Sequence, residues 1–105
     1  MRKFDVYYMQ PESFRTFVLG DTTPTVDELD DTHTLLTSYE AESLDAVWEH
    51  FQAENWSPNG EARSLIEEKE LSHTSMSVGD VIHDTESGFY HVVRPMGFFI
   101  IPKRR

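Results

Sequence analysis

The chain has 105 residues, 12 % of them aromatic, no cysteine and a formal charge of −10. A single domain spanning 1–105 can bury a core of its own, and the missing cysteines exclude disulfides, thiolate metal sites and cysteine nucleophiles. No apolar run approaches the ~18 residues of a membrane span, and Met1-Arg2-Lys3-Phe4-Asp5 leads into no signal-peptide core, so no membrane association and a cytoplasmic location are expected.

The charge is uneven. No Lys or Arg stands between Arg15 and Arg63, a span that holds Asp21, Asp27, Glu28, Asp30, Asp31, Glu40, Glu42, Asp45, Glu49, Glu54 and Glu61. Basic residues gather at the two ends, Lys103-Arg104-Arg105 among them. Direct nucleic-acid binding through a broad phosphate-facing surface is therefore disfavoured. The acidic span reads first as a solvated face; the alternative is a face that meets a basic partner or imitates nucleic-acid charge.

In chain order, Lys3 to Gln10 sets Phe4, Val6 and Tyr8 against Lys3, Asp5 and Tyr7, a period of two that predicts a strand. Pro11 ends it. Phe14 to Leu19 reads as a short extended piece, and Thr25 to Leu29 as one helical turn capped by Thr25. Thr34 to Ala41 is a second strand. Ser43 then caps a helix over Leu44 to Glu54, with Leu44, Val47, Trp48 and Phe51 on one face. Pro58 and Asn59-Gly60 break the pattern, and Glu61 to Lys69 resumes as a shorter helix with Ala62, Leu65 and Ile66 inward. After the polar run 72–77, Gly79-Asp80 turns into strand Val81 to His83. Phe89 to Val93 and Phe98 to Ile101 complete a meander.

Strands at both ends with helices between them predict an α+β domain: a small, mostly antiparallel sheet with two helices packed on one face. Strand 3–10 pairs with the meander or with 34–41; the pattern does not choose.

Two polar runs carry the candidate chemistry. In Trp56-Ser57-Pro58-Asn59-Gly60-Glu61-Ala62-Arg63, backbone N–H groups at a helix start suit an anion, and Arg63 suits phosphate or carboxylate; capping explains the same residues. In His73-Thr74-Ser75-Met76-Ser77-Val78-Gly79-Asp80, the residues His73, Ser75, Ser77 and Asp80 invite a nucleophile reading. No nucleophile-elbow motif accompanies them, and hydroxyls in loops commonly satisfy turns and caps. The five histidines, His33, His50, His73, His83 and His91, form no recognised metal spacing. His50 is placed on the polar side of its helix, and His83 and His91 face each other across the hairpin, two ligands where closed metal sites take four. No metal and no cofactor are expected.

Pro11-Glu12-Ser13-Phe14, Thr32-His33-x-Leu35-Leu36 and the two polar runs, the second extended to Val81-Ile82, resemble a family of small uncharacterised bacterial proteins. The C-terminal part is similar to the YodL-like domain of mobile-element proteins. One departure is Glu70, where that family often carries glycine, so a left-handed cap on the second helix is not expected. The resemblance implies a domain that recurs near phage and plasmid functions, and it implies no activity. With the polarity of the two runs, it leads to the expectation of a non-enzymatic binding module, an accessory protein of bacterial mobile elements with a protein partner. Its expected site is shallow and polar, where loops 55–63 and 73–80 converge: Trp56, Ser57, Asn59, Glu61, Arg63, His73, Ser75, Met76, Ser77 and Asp80, edged by Trp56 and Met76. The rival is a small ligand-binding or enzymatic domain using His73, Asp80, Glu61 and Arg63 on an anionic substrate such as a nucleotide.

Overall fold

The alternation in the first ten residues is realised as strand β1, Arg2–Met9, which buries Phe4, Val6 and Tyr8 on one face. The computed structural model describes residues 1–14, 16, 23–52, 62–71, 73 and 75–102. Four further strands are β2 (His33–Ala41), β3 (Val81–Asp84), β4 (Tyr90–Arg94) and β5 (Gly97–Ile100). All neighbours are antiparallel, in the order β2-β1-β3-β4-β5. The first strand therefore pairs with both of the partners that its pattern left open. Pro11 does stop it, opening a 3-10 turn over Pro11–Ser13. Phe14 continues that turn in a helical conformation, contrary to the extended piece expected from 14 onward, because Pro11 pre-sets the turn geometry; most of 15–19 lies outside the described residues.

Among the described residues three α-helices join the sheet: α1 (Leu29–Thr32), α2 (Leu44–His50) and α3 (Ala62–Glu68). One sheet face packs against α2 and α3 in a core that joins Phe4, Val6, Tyr8, Leu36, Val47, Phe51, Ile66, Met76, Ile82 and Val93. Ser43 Oγ accepts from the Ala46 N–H at 3.1 Å, which starts α2 as its sequence requires. Val47 and Phe51 are fully buried, while Leu44 and Trp48 pack half-buried at the margin. His50 is not on the solvent side; its ring stacks on Tyr39 of β2 at 3.9 Å, because α2 lies along that strand.

The opposite face carries a smaller cluster of Leu29, Val81, Val92 and Ile101. Leu29 reaches it from α1. A 3-10 turn, Val26–Glu28, precedes α1, and there the Glu28 carboxylate accepts from the Thr25 N–H and hydroxyl, each at 3.0 Å. Register corrects one expectation: His83 lies opposite Tyr90 and His91 opposite Ile82. The two histidines thus sit on opposite faces of the sheet, since adjacent residues alternate. His83 stacks on Tyr90 at 3.9 Å.

Helix α3 ends in a left-handed cap after all. Glu70 has φ 57°, its N–H donates to the Glu67 carbonyl at 3.0 Å, and Leu71 N–H donates to the Ile66 carbonyl at 2.9 Å. This is the Schellman pattern, with Leu71 and Ile66 both in the core. Burial of Leu71 imposes the turn on a residue that dislikes it. Glu70→Gly should therefore raise stability by about 1 kcal/mol, read as a higher urea midpoint at unchanged slope; an unchanged midpoint would mean that the cap is unstrained.

Candidate functional site

The loop 73–80 is organised by Gly79 and Asp80. Asp80 N–H donates to the Ser77 carbonyl at 3.1 Å, and Gly79, at φ 100°, occupies the third position of that turn. A type II turn needs a positive φ there, which only glycine adopts at no steric cost. The turn drives the Asp80 side chain inward until it is 0 % exposed.

A carboxylate buried to that extent needs donors on both oxygens. Oδ1 accepts from the Met9 N–H at 2.8 Å, and Oδ2 from the Ser77 N–H at 2.8 Å. His73 Nε2 completes the set, 3.0 Å from Oδ2 and 3.2 Å from Oδ1. Below the imidazole, Tyr8 is stacked at 4.5 Å with rings 12° apart. Burial, and then the Asp80 charge, push the Tyr8 phenol up, so the layer under His73 stays neutral. The ring is clamped by its edge and its face, and Nδ1 has no hydrogen-bond partner among the described residues.

His73 opens on a pocket of about 290 Å³ lined also by Met9, Gln10, Pro11, Phe14 and Ser77. A carboxylate-oriented imidazole in such a place can exchange a hydrogen bond or a proton with a bound group. No hydrogen bond joins the Ser77 hydroxyl to His73, so a serine–histidine–carboxylate relay through Ser77 is not assembled. Among the described residues no group of three His, Asp or Glu side chains is placed to hold a metal ion.

His33 adjoins the same centre. Its Nε2 lies 2.7 Å from the Gly79 carbonyl, an acceptor only, so Nε2 carries the proton; Nδ1 faces Thr32 Oγ1 at 2.8 Å. A β-bulge delivers it there. The β1–β2 register shifts by one residue between Val6 and Tyr7, with Leu36 as the extra residue, and His33 comes opposite Met9. Without that shift Met9 would face Thr34, and His33 would point to the other side of the sheet.

Burial holds the His33 imidazole below its ordinary 6.5, with His73 adding to the effect and the Gly79 hydrogen bond and the Asp80 charge opposing it. A depressed folded-state value means that the unfolded chain takes up the proton first. This contribution to stability is complete above pH ~6.5 and is lost as pH falls below that toward the folded-state value. The melting temperature should decline between about pH 7.5 and about pH 5.5, and less steeply in His33→Gln. Some slope should survive, because burial also lowers His50 and His91. An identical slope in wild type and variant would remove His33 from the account.

The expected site residues divide. His73, Ser77 and Asp80 converge as described, and Ser75 is half-buried in the same loop. Met76 does not edge a site: it is 1 % exposed and sits in the core, tied by its N–H to the Phe51 carbonyl at 2.9 Å. Arg63 is exposed on α3 and takes no part in the hydrogen bonds of Asp80. Trp56, Ser57, Asn59 and Glu61, and with them the convergence of the two loops, lie outside the described residues.

Sequence reading missed the apolar surface at the far end of the sheet. Phe89, Met96, Phe99 and Ile100 are 50 %, 90 %, 54 % and 57 % exposed. A signal was present: Gly97-Phe98-Phe99-Ile100-Ile101 does not alternate, and a strand apolar on both faces asks for cover on both. Concave patches of about 220 Å³ and 340 Å³ flank the β4–β5 turn, the first against Trp48, the second against Met96 and Phe99. No helix among the described residues is long and apolar enough to cross a membrane.

No family model matches this chain, and no curated protein or solved structure does.

Proposed function

We propose that this protein is a non-enzymatic binding module acting through protein contacts, an accessory protein of bacterial mobile elements in the sense of the resemblance to YodL-like domains. The observation that supports contact with a protein is the exposed apolar end of the β4–β5 hairpin, where Met96, Phe99 and Ile100 stand in solvent on a fold otherwise rich in charge. Met96 and Phe99 line one concave patch with Pro95, and exposed apolar surface of this kind marks interaction sites. Immobilised wild-type protein should retain a partner from a lysate of its source organism. The double variant Met96→Ser, Phe99→Asp should lose it at an unchanged melting temperature. Equal retention by both proteins would refute the assignment of this surface.

His73 favours a second reading, a small ligand-binding or enzymatic domain for an anionic substrate such as a nucleotide. The clamped imidazole at the mouth of a pocket supports it. A nucleoside phosphate at about 100 times its Kd should then stabilise the fold by ~2.7 kcal/mol, and His73→Asn should abolish that shift. Absence of any thermal shift across nucleotides and inorganic phosphate would reject it.

A further inference from the structure

We infer that the pocket beside His73 binds the base of a nucleoside, with His73 Nδ1 accepting a hydrogen bond from the edge of the base. The inference rests on the ligand-binding reading of this pocket and names the part of the ligand that His73 recognises.

Asp80 fixes the state of the ring. Its Oδ1 already accepts from the Met9 N–H and its Oδ2 from the Ser77 N–H. His73 meets the same two oxygens through Nε2, so Nε2 carries the proton and donates. In the neutral ring the lone pair then falls on Nδ1. Nδ1 has no partner among the described residues, yet it is not sealed off, because the single buried side-chain nitrogen or oxygen left without a partner there is His83 Nδ1. An acceptor in a fixed tautomer, open to solvent, therefore belongs to a side chain that lines the pocket.

A second polar group stands next to it. Ser77 N–H and His73 Nε2 both lie on Asp80 Oδ2, at 2.8 Å and 3.0 Å, which sets the two residues side by side. Ser77 is exposed, and its hydroxyl makes no hydrogen bond among the described residues. An acceptor of fixed identity thus adjoins a hydroxyl that can donate. Nucleobase edges present the matching pair, an N–H donor beside a ring-nitrogen or carbonyl acceptor.

The walls suit a flat ligand. Met9 and Pro11 are apolar, and Phe14 is 47 % exposed and stacks on no other ring among the described residues. An uncovered aromatic side chain is a platform on which a base stacks. The volume, about 290 Å³, lies at the small end of ligand sites and suits one base rather than a large cofactor. Phosphate is the poorer match. No Lys or Arg is among the described lining residues, and the charge beside the His73 ring is the Asp80 carboxylate, 3.0 Å away. A phosphate oxygen, an acceptor, has nothing to give a lone pair on Nδ1. A nucleotide would place its base here and its phosphate in solvent.

The test is an imidazole nitrogen NMR titration of the whole protein in mildly alkaline buffer. The probes are adenosine, cytidine, guanosine and uridine, with ribose 5-phosphate and inorganic phosphate as base-free controls. In the free protein His73 should carry its proton on Nε2. At least one nucleoside should move the Nδ1 resonance, and its 5′-monophosphate should bind with similar affinity. The same nucleoside methylated on its base N–H groups should bind at least about tenfold more weakly, for one lost hydrogen bond. His73→Gln should weaken binding as much, since its amide can still donate to Asp80 but offers no acceptor at the Nδ1 position. The methylated nucleoside decides the matter on unaltered protein should His73→Gln fail to fold. A free ring with its proton on Nδ1, equal binding of the methylated nucleoside, or undiminished binding by folded His73→Gln would each overturn base recognition. If the base-free phosphates move the ring and the nucleosides do not, base recognition fails and the reading of an anionic ligand stands. If no nucleoside, nucleotide or phosphate moves it, both fail.

Discussion

Replacing Asp80 with alanine should destabilise the fold by about 3–5 kcal/mol, the usual result of breaking a buried charged network from one side. The cost lies in what is left behind. Met9 N–H and Ser77 N–H would face a cavity with no acceptor, and each orphaned buried donor costs ~1–3 kcal/mol. His73 would lose the contact that orients it. Small domains hold only ~5–15 kcal/mol in all, so the variant should sit near the edge of folding, with a melting temperature lower by on the order of 20 °C. Asp80→Asn should fail almost as badly. Its amide nitrogen would bring a second donor against the Met9 N–H or the Ser77 N–H, where only acceptors fit. Urea denaturation of both variants measures this directly. A loss below ~1 kcal/mol would mean that water replaces the carboxylate, and that the centre is far wetter than its complete burial indicates.

Phe51→Ala should cost about 3–5 kcal/mol, the range for emptying a large aromatic site. Phe51 ends α2, is fully buried, and meets Tyr39 edge-on at 5.7 Å, while its carbonyl accepts from Met76 N–H. The cavity would open between α2, β2 and the loop that carries Asp80. Trp48→Ala removes a larger side chain at a smaller cost, because Trp48 is only half-buried at the margin of the core. The order of the two urea midpoints is the informative measurement. A Trp48 variant as damaged as the Phe51 variant would place the centre of the core further toward the β4–β5 hairpin.

Much of this was legible in the chain itself. Period-two alternation located β1, because a half-buried strand must separate its faces residue by residue, and short strands between tight turns located the meander. The Leu44, Val47, Trp48, Phe51 spacing located α2 and its inner face, and Ser43 its start. Gly79 and Asp80 marked the loop where the buried carboxylate lies, since a turn with positive φ leaves glycine as its trace. These features are local, and a few neighbouring residues suffice to determine them.

Other features depend on partners far along the chain. The bulge at Leu36 sets which face His33 occupies, yet nothing in His33-Thr34-Leu35-Leu36 announces it; the register is decided by the fit of Leu36 into a core built from five other elements, β1, α2, α3, β3 and β4. The same reason separates His83 from His91, which one residue of register places on opposite faces. Glu70 adopts a conformation that its own side chain opposes, because burial of Leu71 and Ile66 outweighs about 1 kcal/mol of local strain. Met76 looked like a contact residue and proved to be core, for a polar run can still send one side chain inward. The sequence by itself determined the elements and the chemistry of the 73–80 turn. Only the tertiary structure decided that Asp80 would bind Met9, 71 positions away, and that β5 would be left at the edge, because both outcomes depend on which strands pair and in what register.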